Sequence, residues 1–225
     1  MLKVRFLGHA AFHLEGDGFS ALVDPFLSGN PACAGAEGIE PQWIFVTHGH
    51  GDHLGDTVSI AKRTGATVVC NYELSLILGR QGVNTMGMYF AGRTQMPFGT
   101  VRMVKALHGS GVVEGDRVLY GGLACGFVIE VCGVKVYHAG DTGLTSDMAL
   151  LAQDGIDLAL LPIGGFYVMD CEDAARAVGM IRPKRVVPMH YDTFPPIKAD
   201  PRRFAQLVGD LAEVRTLKPG EEMEL

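Results

Sequence analysis

Trp43-Ile44-Phe45-Val46-Thr47-His48-Gly49-His50-Gly51-Asp52-His53 is the stretch on which the reading of this 225-residue chain turns. Its first four residues, all aromatic or β-branched, read as a fully apolar strand. The six from His48 to His53 then hold three imidazoles and a carboxylate. A solvated loop would draw on Ser, Asn and Lys. Neutral imidazoles beside a carboxylate are instead borderline ligands suited to zinc, iron, manganese or nickel. The interleaved glycines are expected to let a tight loop turn successive side chains inward.

Working outward, three more such residues also follow apolar strands. His108 comes after Val101 to Leu107, Asp141 after Val134 to Tyr137, and His190 after Arg185 to Pro188. Strand ends along one sheet edge are expected to bring these groups to one place. The remaining periodicities agree with such a frame. Leu2 to Leu7, Ala11 to Leu14 and Phe19 to Val23 read as an antiparallel meander, with Gly16-Asp17-Gly18 as hairpin chemistry. A helix from about His53 to Lys62 and a strand from Ala66 to Cys70 complete a βαβ-like step. A second meander spans Val101 to Tyr137, interrupted by a glycine-rich loop from His108 to Gly122. Helix and strand then alternate over 146–153, 156–161, 171–180, 185–188 and 201–208. Strand-rich then mixed, twice over, predicts two sheets sandwiched between helices, an α/β architecture.

Composition limits the function classes. The length suits one domain over 1–225, and 48% hydrophobic residues with 30 glycines fit short buried strands joined by tight turns. No apolar run approaches the roughly 20 residues a membrane span requires, and the N-terminus lacks the features of a secretory signal. Cys33, Cys70, Cys125, Cys132 and Cys171 form no C-x-x-C pair, which fits reduced thiols and a cytoplasmic location. A net charge of -6 argues against a nucleic-acid surface. Arg182, Lys184, Arg185, Arg202 and Arg203 read as solvated surface. The expected partner is a small-molecule substrate, with homo-oligomerisation left open.

His48, His50, Asp52 and His53 form the pattern H-x-H-x-D-H, by which the chain resembles the metallo-β-lactamase superfamily. Asp24-Pro25-Phe26, His108, Gly140-Asp141-Thr142 and His190 agree with that resemblance in order and spacing. Leu7-Gly8-His9-Ala10, Pro162-Ile163-Gly164-Gly165 and Met189-His190-Tyr191 resemble a compact group of metal-dependent hydrolases related to ascorbate-phosphate lactonases. The resemblance implies a four-layer αββα sandwich and two divalent metal ions, zinc first, with manganese, iron or nickel as alternatives. It implies that His48, His50 and His108 hold one ion, that Asp52, His53 and His190 hold the other, and that Asp141 bridges them. Asp52, Asp141 and His190 are thereby marked as catalytic too. The implied reaction is hydrolysis of an ester, lactone, thioester or phosphodiester by a metal-bridging hydroxide.

Competing readings use the same fold. A flavodiiron oxidoreductase carries glutamate where His50 stands and adds a flavin domain that 225 residues do not accommodate. A mononuclear-iron persulfide dioxygenase keeps much of the signature, and ribonucleases share the site but add basic surface. Among the remaining residues, His13 reads as structural. His9 and His138 read by default as core histidines, the alternative being a bond to a ligand or substrate. Asp24 is the better candidate for orienting a ligand. Gly79 to Gly99, with Met86, Met88, Tyr89 and Phe90, reads as packing or a pocket wall. Phe166-Tyr167 and Tyr191 to Phe194 read as an aromatic rim or as contacts to the reacting group.

Overall fold

The computed structural model describes residues 1–225. The first meander forms as β1 (Lys3–Gly8), β2 (Ala11–Gly16) and β3 (Phe19–Val23), and β4 (Trp43–Phe45), β5 (Thr67–Asn71) and β6 (Thr85–Met88) extend it by parallel pairing. In the second sheet β7 (Arg93–Met96), β8 (Gly99–Lys105), β11 (Cys125–Val131) and β12 (Val134–His138) pair antiparallel. A hairpin of β9 (Gly111–Glu114) and β10 (Arg117–Tyr120) stands apart from both sheets. Parallel pairing then adds β13 (Leu158–Pro162), β14 (Arg185–Met189) and β15 (Glu213–Val214) to the second sheet. β16 (Glu222–Glu224) returns to pair with β1.

Side-chain alternation produces the layers. Along β13, Leu158 and Leu160 enter the core between the sheets while Ala159 and Leu161 enter the outer core. Along β5, Val69 faces inward and Val68 and Cys70 face outward. The inner core joins both sheets, with Phe45 and Phe127 meeting at 5.3 Å between ring centroids. The first sheet's outer face is covered by α2 (Thr57–Thr64) and α3 (Tyr72–Gly79) through Ile60, Ala61, Leu74 and Leu78. The second sheet's is covered by the 3-10 segment Ser146–Gln153, α4 (Cys171–Ile181) and α5 (Pro201–Val208). Local signals start these helices: Asn71 accepts from Leu74 N at 2.9 Å, Asp170 accepts from Asp173 N at 2.8 Å, and Pro201 follows the capping Asp200. The result is the αββα sandwich.

Several expectations shift. The helix expected from His53 to Lys62 is two, α1 (Gly51–Leu54) and α2, broken at Gly55. Gly79 to Gly99 contains β6 and β7, and Met88 and Met96 are core residues, Met88 also lining a small cavity with Tyr89 and Phe90. The loop between His108 and Gly122 contains the β9–β10 hairpin, whose Val112 packs into the first sheet's outer core. Four of the five basic residues near the C-terminus face carboxylates: Lys184–Asp157, Arg185–Glu213, Arg202–Asp200 and Arg203–Glu172. All five cysteines are free, and no helix is long and apolar enough to cross a membrane.

The glycines around the histidine cluster do not share one role. Gly49 is needed for space, because a Cβ there would meet Val112 Cγ2 at 2.6 Å. Gly51 begins α1 with nothing within 4 Å, so the turn does not require it. Gly55 is the demanding position: at φ 41 and ψ -124 it ends α1, and a Cβ would run into Pro25 O and Phe26 Cα. Gly55→Ala is therefore expected to destabilise the metal-free protein by about 2–3 kcal/mol. Gly51→Ala should stay within about 0.5 kcal/mol of the parent. Urea unfolding of the pair checks this, and equal midpoints would show that the break after α1 needs no glycine.

Candidate metal centre

Loops from both sheets deliver the cluster, not one sheet edge as the strand pattern suggested. The end of β4 carries His48, α1 carries Asp52 and His53, and His50 caps α1. From the second sheet come His108 after β8, Asp141 after β12 and His190 after β14. His190 adopts the left-handed conformation at φ 54, which turns its ring back toward the sheets' shared opening.

Asp141 stands at the centre. Its Oδ1 lies 3.1 Å from His53 Nε2, and its Oδ2 lies 3.1 Å from His190 Nε2, 3.5 Å from His108 Nε2 and 4.0 Å from His48 Nε2. Around it are three groups whose donor atoms lie within 4.8 Å of one another: His48, His50 and His108; His48, His53 and Asp141; and His9, Asp52, His53 and His190. All seven residues expected from the sequence are thus brought together. Asp141 does not cap the segment from Ser146, whose capping position is Thr145.

Hydrogen bonds fix which nitrogens face the centre. Asp24, fully buried, accepts from Thr47 N at 2.8 Å, Thr47 Oγ1 at 2.7 Å and His53 Nδ1 at 2.8 Å. Because the Thr47 hydroxyl spends its only proton on Asp24, its 3.0 Å bond to His48 must be donated by His48 Nδ1. One carboxylate therefore leaves Nε2 of both His48 and His53 pointing at Asp141. A carboxylate behind an imidazole is the usual device for holding a metal-ligating tautomer.

His9 and His138 separate. His138 bonds Ala10 O through Nε2 at 2.9 Å and accepts from Gly140 N at Nδ1 at 3.1 Å, so it is a satisfied core histidine. His13 likewise finds only Ser20, at 2.9 Å. His9 belongs to the site. Its Nε2 lies 3.2 Å from Asp52 Oδ2 and its Nδ1 2.9 Å from Thr193 Oγ1. An ionised Asp52 offers only lone pairs, so Nε2 carries the proton and the Thr193 hydroxyl donates to Nδ1. Its place beside a strand end left a bond to a ligand open in the sequence, but nothing in spacing or residue type separated it from a core histidine such as His138.

Burial and charge set the protonation states. Burial pushes His48, His50 and His108 below the usual histidine range, and holds His9 at about 4. Burial would do the same to His53, but Asp141 and Asp24 outweigh it and raise His53 well above 6.5. Burial likewise opposes ionisation of Asp24 and Asp141, and the neighbouring histidines, His53 foremost, outweigh it and lower both. In metal-free protein one imidazolium thus stands between two buried carboxylates. The donor set fits metal better: His53 Nε2, Asp141 Oδ1 and both ring nitrogens of His190 are buried, and although His53 Nε2 and His190 Nε2 each lie 3.1 Å from an Asp141 oxygen, none of these four atoms makes a well-directed hydrogen bond. Orphaned buried polar atoms are rare, and several converging on one point are what a cation satisfies.

Metal must displace the His53 proton. Binding is therefore expected to release about one proton at neutral pH, and affinity to rise about tenfold per pH unit until His53 is neutral. The sign for folding follows. The raised His53 stabilises metal-free protein below its ordinary 6.5, and this is lost as pH rises through its higher folded value. The lowered Asp24 and Asp141 stabilise above 3.8, and this is lost as pH falls through their folded values. Calorimetric titrations in buffers of different ionisation enthalpy count the proton, and zero protons released would refute the imidazolium.

Aromatic rings flank the His9 side of the site. Asp52, one-third exposed, is its most accessible carboxylate, against 4% for Asp141. Phe194 lies 5.5 Å and Phe26 5.9 Å from the His9 ring, centroid to centroid. Phe166 and Tyr167 pair with each other at 4.6 Å and are largely exposed.

The β-lactamase superfamily domain family matches residues 20–191, which include all seven clustered residues and Asp24. A metal-dependent hydrolase of Thermococcus onnurineus is 52% identical, with 100% of each chain covered. Another, of Heliobacterium modesticaldum, is 47% identical over 100% of this chain and 98% of that one. Among solved structures, a metallo hydrolase from the hyperthermophilic archaeon Ignicoccus hospitalis is 37% identical. It superposes with a TM-score of 0.90 over 100% of this chain and 99% of that chain. A fold, a histidine and aspartate cluster and relatives that agree end to end place the chain in the β-lactamase superfamily, among its metal-dependent hydrolases.

Proposed function

We propose that residues 1–225 act as one domain that holds two divalent metal ions, zinc first, and hydrolyses an ester, lactone, thioester or phosphodiester bond of a small molecule. The observation that carries this reading is Asp141, whose Oδ2 lies within 3.1–4.0 Å of His48 and His108 on one side and His190 on the other, while its Oδ1 faces His53. His48, His50 and His108 would hold one ion, Asp52, His53 and His190 the other, and Asp141 both. Ions held there supply Lewis acidity, acidifying water toward neutrality and polarising the bond to be cleaved.

The chain's own residues orient the rest. Asp52 is the carboxylate that water from the mouth can reach, and His9 occupies only its Oδ2, leaving Oδ1 to accept from water. The nearby thiol cannot serve as nucleophile. Burial pushes Cys125 far above its ordinary range, and its Sγ faces Thr47 O at 3.2 Å. Asp24 and Thr47 keep His48 and His53 in one tautomer throughout.

Reconstituted protein should bind about two ions per chain and cleave members of a chromogenic ester, lactone, thioester and phosphodiester panel. Activity should rise with pH through an inflection near neutrality that moves when manganese replaces zinc. A content near zero after reconstitution sinks the reading. A firm value near one, with iron, would favour the mononuclear dioxygenase-like alternative.

A further inference from the structure

Three atoms of His9 grip three parts of one half of the cluster. The residue lies in the β1–β2 turn at φ 60, directly after Gly8 at φ 111, so two successive left-handed residues aim its ring at the site. Its carbonyl accepts from His190 N at 2.7 Å, and His190 is itself left-handed. Its Nε2 meets Asp52 at 3.2 Å, and its Nδ1 meets Thr193, three residues past His190, at 2.9 Å. The two rings pack at 4.0 Å between centroids, and His9 is buried. His50 is bonded only within the cluster, its Nδ1 lying 3.1 Å from His48 Nε2, and no brace from outside the cluster reaches it.

We infer that His9 is a positioning residue for the Asp52, His53 and His190 half of the centre alone, clamping the half-buried Asp52 against His190 across the two sheets. The inference rests on the two-ion reading above. Asp52 needs such a clamp because it is the most solvent-accessible carboxylate of the cluster, and a carboxylate free to rotate binds metal less well than one held by a neighbouring donor. Left-handed residues other than glycine are uncommon, and histidine is among the side chains that tolerate the conformation best. The turn and the ring therefore work as one device: the backbone bond fixes His190 and the side chain fixes Asp52.

Two substitutions isolate the side chain. Asparagine also tolerates the left-handed turn, but its amide nitrogen stands where Nδ1 stands and cannot reach Asp52. Glutamine places a donor where Nε2 stands. His9→Asn is expected to keep one ion at parental affinity and bind the other about 10- to 100-fold more weakly. His9→Gln should restore most of that loss. Plasma-emission metal analysis and cobalt(II) titration followed by absorption read this without any assay of turnover, with circular dichroism confirming the fold. If His9→Asn does not fold, Thr193→Val, which leaves His9 without its second partner, should show the same selective weakening to a lesser degree. Parental protein that binds two ions while His9→Asn also binds two at unchanged affinity overturns the clamp, as does equal weakening of both ions. Parental protein that binds only one ion overturns the two-ion reading itself, and the clamp with it.

Discussion

Asp141→Asn is expected to fold with parental secondary structure, to lose at least one metal ion and to drop turnover about a thousandfold or more. The physical case is geometric. Asp141 is 3% exposed, and its two oxygens stand within 3.1–4.0 Å of ring nitrogens from His48, His53, His108 and His190. Asparagine matches its shape but removes the charge, and it turns one acceptor into a donor aimed at the same lone pairs. On the two-ion reading, a single negative charge shared by two dications is the hardest contribution in the site to replace. The rival role, a cap for the Ser146–Gln153 segment, would cost only about 1 kcal/mol and leave metal in place. The position of Thr145 at that cap already removes it. Metal content and circular dichroism on one sample decide: a folded variant with full metal and near-normal turnover would mean that Asp141 lies near the ions without serving them.

The second large effect belongs to a residue that touches no ion. Asp24→Asn should weaken metal binding about 10- to 100-fold and destabilise metal-free protein by about 3 kcal/mol. Asp24 receives three hydrogen bonds, and an amide can accept only through its oxygen. If that oxygen keeps Thr47 N, the amide group faces His53 Nδ1 and forces the proton to Nε2, where the ligating lone pair should be. His48 is disturbed too, because its tautomer depends on the Thr47 hydroxyl that Asp24 orients. Nitrogen-15 shifts of the imidazoles report the tautomer directly. Unchanged affinity with His53 still protonated at Nδ1 would show that Asp24 is packing only.

Much of this was visible in the chain. Trp43 to His53 announced a buried strand followed by ligands because periodicity and residue chemistry are local properties. Asp24 could be suspected from its place after β3, and the parallel step from β4 to β5 from the helix between them. The break of the first helix was less visible: Gly55 is required by the approach of Pro25 and Phe26, 29 or more residues earlier in sequence, and no local signal records that approach.

The candidate ligands and the two-sheet, helix-flanked pattern were legible in the chain, since both follow from side-chain type and alternation along short segments. How those residues divide into roles emerged from their neighbours in space. His9 and His138 look alike as lone histidines near strand ends, yet one braces Asp52 and the other is satisfied by Ala10 and Gly140. The same holds for the protonation of His53, which depends on Asp24 and Asp141 arriving from different sheets. Hydrogen-bond partners and fields are set by distance in space, and residues brought together across two sheets share no spacing that a linear pattern can carry.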